Sequence, residues 1–248
     1  MSETESTEYI YGRRAVFEVL RGGRKVYKIF GTPSALDWLS NKIKSAGVII
    51  SAEIESANKQ KLHNLVHRAD NQGLVAIVEK FIYTPLQIIL DRAPKIILLA
   101  DEITDPQNLG AMIRSSNLCG VGAVIIPQQN SAKITPVVVH TSAGATEHIP
   151  IARVKSIPHC IHLLAEREYF ILGTDKPRKN TISIVDFKPS GKIGLIMGSE
   201  GEGISRKILQ KCHHIISIPQ AGEIDSFNVS VATGIILFQL ASKMNIFC

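Results

Sequence analysis

The 248-residue sequence has few of the features that mark secreted, membrane-spanning or disulfide-stabilised proteins. It contains only four cysteines, Cys119, Cys160, Cys212 and Cys248, and no two of them form a CxxC pair. Its longest apolar run, residues 229–241, is too short to cross a bilayer and includes polar side chains. The first residues lack the basic and then apolar order of an export signal. We therefore expect a cytoplasmic chain whose cysteines stay reduced and serve as small apolar residues.

The common cofactor and catalytic motifs are also missing. The dinucleotide fingerprint GxGxxG is absent, because Gly201 and Gly203 are followed by Arg206 where the motif requires a small residue. A Walker A loop is absent, because Lys192 is followed by Ile193 rather than by serine or threonine. The sequence has no GxSxG elbow and no histidine or cysteine pairs at the spacing of zinc ligands. We therefore expect no metal site and no nucleotide site of a familiar kind.

The charge of the chain is moderately basic. Lysine and arginine number 28 against 22 aspartates and glutamates, so the formal net charge is +6. A basic surface raises the local concentration of polyanions such as RNA. Hydrophobic residues make up 45% of the chain, which allows a packed core and excludes global disorder. One basic cluster is a candidate RNA contact, although a solvated helix face also explains it: Arg13, Arg14, Arg24 and Lys25.

Residues 9–80 are predicted to form a small α/β domain, in which helical spacing alternates with short apolar runs. A linker at 81–94 follows, because Thr84-Pro85 is a favourable helix start and Pro94 then interrupts the pattern. The predicted helices are 14–21, 36–46 and 59–68, and the predicted strands are 26–30, 48–50 and 74–78.

Residues 95–248 are predicted to form a second α/β domain. Its strands are short and nearly all apolar, and they alternate with helices, which is typical of a parallel sheet buried on both faces. The predicted strands are 96–100, 123–127, 170–173, 194–197 and 215–219. The predicted helices are 107–119, 135–143, 157–167, 204–211 and 229–243.

Three polar loops in this second domain are candidates for a site. The first runs from Asp101 to Arg114, between a strand and a helix. Open α/β sheets bind ligands at the carboxyl ends of their strands, where Asn108 and Arg114 could converge. A plainer interpretation also fits, in which Asp105 caps the helix and Arg114 makes a surface ion pair.

The second loop follows a predicted strand and carries Gly198, Gly201 and Gly203, which let the backbone approach a ligand closely. Its Glu200 and Glu202 would repel phosphate and suit a ligand that is cationic or rich in hydrogen-bond donors. A flexible turn with solvated glutamates is the alternative.

The third loop places Ser226, Phe227 and Asn228 immediately before a helix that begins with small residues. Small side chains permit close helix packing. Ser226 or Asn228 also suits the ordinary role of a helix cap.

Together, in this order and at these separations, the three loops resemble the signature motifs of the SpoU family of RNA 2′-O-ribose methyltransferases, a branch of the SPOUT enzymes. Asn108 and Arg114 match the asparagine and arginine of the first motif. Glu200 matches the glutamate of the second, and Ser226 and Asn228 match the serine and asparagine of the third. Residues 9–80 resemble the ribosomal-protein-like RNA-binding domain that precedes the catalytic domain in many members, so the resemblance covers nearly the whole chain.

The resemblance implies a parallel-sheet domain whose C-terminal segment forms a trefoil knot. It implies S-adenosyl-L-methionine as the methyl donor and a homodimer in which the neighbouring subunit completes each site. The catalytic residues it implies are Asn108, Arg114, Glu200, Ser226 and Asn228. The cofactor contacts it implies are Gly173, Thr174, Gly198, Gly203, Ile218 and Phe227.

Two positions depart from the family pattern. Phe227 stands where leucine is usual, and Gln220 stands where methionine is common. Phe227 is implied to line the adenine pocket, so the departure bears on cofactor affinity. Because phenylalanine keeps the apolar character of leucine, we expect cofactor binding to survive.

The implied reaction is attack of a ribose 2′-hydroxyl on a sulfonium methyl group. Arg114 is the residue to which the resemblance points, but a guanidinium stays protonated at neutral pH, so a phosphate contact is physically easier than proton removal. The N-terminal domain resembles that of the ribosomal-RNA enzymes and so favours ribosomal RNA over transfer RNA, and the resemblance implies a guanosine of the large subunit as the target. The alternatives are a transfer RNA 2′-O-methyltransferase, a catalytically inert RNA-binding or ribosome-assembly protein, and a small-molecule α/β enzyme.

Overall fold

The computed structural model describes residues 6–247, and the chain divides into two compact units with a sheet each. The N-terminal unit contains the described residues up to Ile82 together with Ile134–His148. The C-terminal unit contains Tyr83–Lys133 and the described residues from Ile149 onward. Within the described residues, no helix combines the length and the apolar character needed to cross a membrane.

Strands and helices are numbered along the chain. The strands are β1 (Thr7–Tyr11), β2 (Val26–Gly31), β3 (Glu53–Ser56), β4 (Leu74–Glu79), β5 (Ile96–Ala100), β6 (Ala123–Pro127), β7 (Ile151–Val154), β8 (Tyr169–Thr174), β9 (Ile182–Ser183), β10 (Lys192–Met197) and β11 (His214–Ser217). The helices are α1 (Arg13–Gly22), α2 (Pro33–Ala46), α3 (Lys59–Val66), α4 (Leu86–Arg92), α5 (Pro106–Leu118), α6 (Pro136–Thr141), α7 (Ile157–Ala165), α8 (Arg206–Leu209) and α9 (Val229–Lys243).

The N-terminal unit is built on a four-stranded sheet in the order β1-β4-β2-β3. Strand β4 is antiparallel to β1 and β2, whereas β2 and β3 are parallel. Tyr11, Phe30 and Val75 face α3, and they form a buried cluster with Leu62 of that helix. Alternate residues of the strands therefore point to the core, as expected for a sheet that packs against helices.

One predicted strand of this unit is wrong. Residues 48–50 form no strand, and Ile49 is 95% exposed, whereas the strand that pairs with β2 is Glu53–Ser56. The Lys28 ammonium of β2 forms ion pairs with Glu53 at 2.7 Å and Glu55 at 2.8 Å. This edge strand is therefore placed by cross-strand ion pairs, which an apolar pattern does not reveal.

The C-terminal unit is built on a seven-stranded sheet in the order β7-β6-β5-β10-β8-β11-β9, and every pair of neighbours is parallel. All residues of β5 and β6 are buried, because helices cover both faces. The prediction of a parallel sheet is confirmed. Strands β7 and β9 were not predicted, and α8 is shorter than the helix predicted at 204–211.

The segment 81–94, predicted as a linker, contains helix α4. Ile89 and Leu90 of this helix are buried in the main core cluster of the C-terminal unit, which also includes Ile97 and Leu99 of β5. The helix therefore belongs to the packed structure of this unit.

The described cysteines are all unpaired. Cys119 and Cys160 are buried and Cys212 is half-buried. Burial raises the pKa of the Cys160 thiol to about 12 and that of Cys212 to about 11, so both stay protonated at neutral pH. Cys248 lies outside the described residues.

Candidate active site

A cavity of about 370 Å³ lies at the carboxyl ends of β8, β10 and β11. The three strands are neighbours in a parallel sheet, so their following loops meet at one edge. Five of the six predicted cofactor residues line this cavity: Thr174, Gly198, Gly203, Ile218 and Phe227. The sixth, Gly173, is buried within β8, where a side chain would collide with Cys212 and Leu209. The small size of Gly173 therefore allows β8 to pack against these two side chains.

Gly198 is required by the path of the glycine-rich loop. A Cβ atom added to Gly198 would collide with the backbone of Gly203 and Ile204. The loop doubles back on itself, since the Gly203 amide donates to the Ser199 carbonyl at 3.1 Å. Gly201 and Gly203 have φ values of 93° and 70°, which favour glycine. The exposed backbone of this turn forms one wall of the cavity.

The three polar loops meet at Asn228. Its Nδ2 donates to Asn108 Oδ1 at 3.0 Å and to Glu200 Oε1 at 2.6 Å. Its Oδ1 accepts from the Ser230 amide at 2.9 Å and hydroxyl at 2.6 Å, so Asn228 also caps α9. The helix cap and the link between the loops are therefore functions of one side chain.

Ser226 and Arg114 lie differently from these three residues. Ser226 is exposed and lines the cavity. Arg114 is exposed on α5 and is absent from the cavity wall, and within residues 6–247 its guanidinium makes no hydrogen bond or ion pair. Arg114 lies six positions beyond Asn108 in α5, so the two side chains leave the helix on different faces. Four of the five predicted catalytic residues therefore lie at the cavity or are hydrogen-bonded to a residue that lines it, and Arg114 is the exception.

Several cavity residues were not identified from the sequence. Asp175, Lys176 and Arg178 follow β8, and Ala232 and Ile236 line the cavity from α9. Asp175 and Lys176 immediately follow a strand end, and that position is the signal that could have found them. The α9 residues carry no such local signal.

The N-terminal basic residues have different environments. Arg24 is 8% exposed in its side chain, and it binds Glu147 and Glu8 at 2.6 Å each. Burial raises the pKa of Glu147 even though Arg24 acts to lower it. The Arg13 guanidinium donates to the Gln72 carbonyl, whereas Arg14 is exposed. Lys25 is exposed too, and its Nζ lies 4.8 Å from the centre of the Tyr27 ring.

Among residues 6–247, no three histidine, cysteine, aspartate or glutamate side chains gather as metal ligands would. The polar groups of the cavity are instead amides, hydroxyls, carboxylates and backbone. Such a set binds an organic ligand through hydrogen bonds and apolar contact.

Comparison with known proteins gives a consistent result over nearly the whole chain. The SpoU rRNA Methylase family matches residues 95–238, and the RNA 2'-O ribose methyltransferase substrate binding family matches residues 9–84. The chain is 35% identical to the 23S rRNA (guanosine-2'-O-)-methyltransferase RlmB of Escherichia coli, covering 94% of this chain and 97% of the relative. It is 34% identical to an uncharacterized tRNA/rRNA methyltransferase of Mycobacterium avium, covering 97% of this chain and 79% of the relative. The AdoMet-bound SpoU methyltransferase AviRb of Streptomyces viridochromogenes has the same fold, with a TM-score of 0.79 at 22% identity over 98% of this chain and 93% of AviRb.

Proposed function

Because the chain belongs to the SpoU rRNA methylase family, we propose that it transfers a methyl group from S-adenosylmethionine to a ribose 2′-hydroxyl of structured RNA. The observation that carries this proposal is the hydrogen-bonded set Asn108, Glu200 and Asn228, which joins the three polar loops beside a cavity at the strand ends. A small-molecule enzyme does not explain a second family match, over residues 9–84, to a substrate-binding domain for RNA.

The cavity fits the cofactor in size and in chemistry. Ile218 and Phe227 offer apolar contacts for an adenine ring, and Phe227 is 43% exposed, so its face is accessible. The backbone of the turn at Gly198 can approach the ligand because no Cβ atom intervenes. Glu200 and Glu202 suit the ammonium and hydroxyl groups of the cofactor. When bound, S-adenosylmethionine supplies an electrophilic methyl group on a sulfonium sulfur.

The acceptor ribose is held, in this proposal, by the set around Asn228. The side-chain nitrogen and the side-chain oxygen of Asn228 both make hydrogen bonds, which fix the orientation of its amide group. The side-chain nitrogen Nδ2 of Asn108 and the oxygen Oε2 of Glu200 make no hydrogen bond within the described residues. The Asn108 nitrogen can donate to the oxygen of the 2′-hydroxyl, and the Glu200 oxygen can accept from that hydroxyl or from a guanidinium. Tight positioning of the hydroxyl supplies much of the acceleration in such a transfer.

We propose that Arg114 acts as a phosphate clamp in the site of a second copy of the chain. Its guanidinium is exposed and does not reach the cavity of its own copy. Helices α5 and α9 pack together and present Leu118 at 71% and Phe238 at 58% exposure. Exposed apolar side chains on packed helices support a homodimer through this face. The forked guanidinium then binds a phosphate and orients the target nucleotide.

Ribosomal RNA, and a guanosine of its large subunit, is the proposed substrate, supported by the similarity to RlmB over 94% of the chain. Transfer RNA is the second candidate, because the Mycobacterium avium relative carries both substrates in its name. An inert RNA-binding protein would not need the intact set around Asn228. We place the protein with its RNA in the cytoplasm.

The N-terminal domain is proposed to bind RNA and the C-terminal domain to carry catalysis and the trefoil knot. Arg14 and Lys25 are exposed and suit phosphate contacts. Arg13 is engaged with Gln72, and Arg24 is enclosed by carboxylates, so we assign Arg24 a stabilising role in its unit. The insertion of β10 between β5 and β8 supports the knot, since the chain returns to the middle of the sheet after β8 and β9 are formed.

The decisive experiment is methyl transfer from radiolabelled S-adenosylmethionine to total RNA from a strain lacking the gene. We expect label in ribosomal RNA, and loss of label with Arg114→Ala but not with the exposed control Arg92→Ala. Label in transfer RNA would replace the proposed substrate. No label in any fraction, with cofactor binding intact, would favour the inert RNA-binding protein.

A mixing experiment tests the role of the second copy. Arg114→Ala and Asn228→Ala proteins are unfolded together and refolded, which yields mixed dimers. If Arg114 serves the neighbouring site, each mixed dimer has one intact site, and activity returns to about a quarter of the wild-type value. Absence of recovery, with mixed dimers present, would place Arg114 in the site of its own copy.

A further inference from the structure

A second cavity, of about 300 Å³, lies at the carboxyl ends of β5, β6 and β7. It is on the same edge of the parallel sheet as the cofactor cavity, and the loop after β10 contributes to both, through Gly198–Gly203 to one and Ser205 to the other. Its polar lining residues are Asp101, Glu102, Gln129, Asn130, Lys155, Ser156 and Ser205. None of the predicted catalytic or cofactor residues lines it.

Asp101 is the unusual residue of this cavity. It is only 8% exposed, yet within residues 6–247 its carboxylate makes no hydrogen bond and no ion pair. Burial, and then the neighbouring Glu102, raise the pKa of Asp101 to about 6. Its oxygens are not among the fully buried side-chain atoms without a partner, so they open into the cavity, where a ligand can reach them. A largely buried acceptor that faces a cavity and has no protein donor suits a ligand that donates hydrogen bonds.

The chemistry of the lining defines the ligand further. An ionised carboxylate only accepts hydrogen bonds, and its two oxygens match two adjacent N–H donors. Among RNA bases, guanine presents such a pair, at N1 and the 2-amino group. The same cavity is lined by Lys155 and by Ser156, which caps the N-terminus of α7, and this combination suits a phosphate. The lysine also makes the cavity a poor place for a divalent cation.

We propose that this cavity binds a guanine base of the RNA substrate, with the Asp101 carboxylate accepting hydrogen bonds from N1–H and the 2-amino group. The inference rests on the proposed RNA methyltransferase function and adds a base-recognition residue to it. Asp101 begins the connection between β5 and α5, and Asn108 lies in the first turn of α5, so one short segment couples base recognition to ribose orientation.

The test compares binding of guanosine, inosine and adenosine 5′-monophosphates to the full-length protein saturated with S-adenosylhomocysteine. Inosine lacks the 2-amino group, and adenosine lacks both donors at these positions. Ligand-observed NMR titration at pH 7.5 measures each dissociation constant. We expect guanosine monophosphate to bind about tenfold more tightly than inosine monophosphate, the effect of one hydrogen bond to a charged group. Equal affinities, or no binding at millimolar concentration, would overturn the inference without any variant.

Variants then assign the preference to one carboxylate. Asp101→Asn is expected to reduce the preference for guanosine monophosphate to less than about twofold, since an amide cannot accept both donors. Asp186→Asn makes the same chemical change on an exposed residue that lines neither of these two cavities, and it should keep the full preference. Retained preference in Asp101→Asn overturns the assignment. If Mg²⁺ displaces the nucleotide from the wild-type protein but not from Asp101→Asn, the cavity is a cation site and the proposed base pocket is wrong.

Methyl transfer by the same preparations separates the two claims. If RNA is labelled but the protein shows no preference for guanosine monophosphate, the proposed enzymatic function is supported and the proposed base pocket is contradicted. If the protein binds guanosine monophosphate through Asp101 but transfers no methyl group to any RNA, the base pocket is supported and the enzymatic function is contradicted.

Discussion

Replacing Asp101 with asparagine is expected to stabilise the C-terminal unit at neutral pH. Asp101 is 8% exposed and its carboxylate has no partner within residues 6–247, and partial loss of hydration raises its pKa from 3.8 to about 6. Between these two values the folded state binds more protons than the unfolded state, so stability falls as pH rises through this window. The full cost is present above about pH 6 and absent below about pH 4. At about 1.36 kcal/mol for each pH unit, the raised pKa corresponds to at most about 3 kcal/mol.

Asparagine removes the charge and keeps the shape, but it buries an amide whose own desolvation costs about 1 kcal/mol. We therefore expect a net gain of about 1–2 kcal/mol at pH 7.5. For a unit of this size, that gain raises the midpoint of thermal unfolding by roughly 2–8 °C. Below about pH 4, the variant should lose this advantage, because the aspartic acid is then neutral as well.

Differential scanning calorimetry at several pH values measures the effect. The transition of the C-terminal unit is the one that S-adenosylhomocysteine shifts upward, whereas fluorescence of Trp38 reports the N-terminal unit. Asp186→Asn serves as the control and should change neither the midpoint nor its pH dependence. The reasoning is refuted if Asp101→Asn has the wild-type midpoint at pH 7.5 and the wild-type dependence on pH.

Three further predictions concern the cofactor cavity, the asparagine that joins the loops, and the buried ion pair. Gly198→Ala should abolish S-adenosylhomocysteine binding in calorimetry because its Cβ would collide with the loop, whereas Gly222→Ala, with open space, should bind normally. Asn228→Ala should cost about 1 kcal/mol of stability as a lost cap and lower methyl transfer more than about tenfold, and unchanged transfer would contradict its role. Arg24→Ala leaves Glu147 buried without its partner, so tryptophan fluorescence should show the N-terminal unit destabilised by about 3–5 kcal/mol; an unchanged transition would contradict the buried pair.

Much of the C-terminal unit was predictable because its signals are local. The observed bounds of β5, β6 and α9 agree with those predicted, since continuous apolar runs mark buried strands and Asn228 marks a helix start. The loops after the strands were predictable as site candidates, because the ends of neighbouring parallel strands meet at one edge. Which side chains touch was not predictable from such patterns.

The predictions that differed most from the structure concerned edge strands and individual charged side chains. Strand β3 was misplaced because ion pairs with Lys28, rather than apolar periodicity, hold it on the sheet. Short strands such as β7 and β9 contain too few residues to show a period. Arg24 looked like a surface cation in the sequence, whereas the structure buries it between Glu8 and Glu147, a residue 123 positions away.

The sequence by itself indicated the parallel-sheet class and the three polar loops, because periodicity, caps and glycine-rich turns are properties of neighbouring residues, whereas the placement of Ile134–His148 in the N-terminal unit came only from the structure. Only the tertiary structure decided that Asn228 bonds Asn108 and Glu200, that Arg114 lies away from its own cavity, and that Asp101 is buried without a partner. Side-chain contacts and burial depend on how segments that are distant in the sequence pack together. Burial in turn shifts the pKa of each ionisable side chain and decides whether it can reach a ligand.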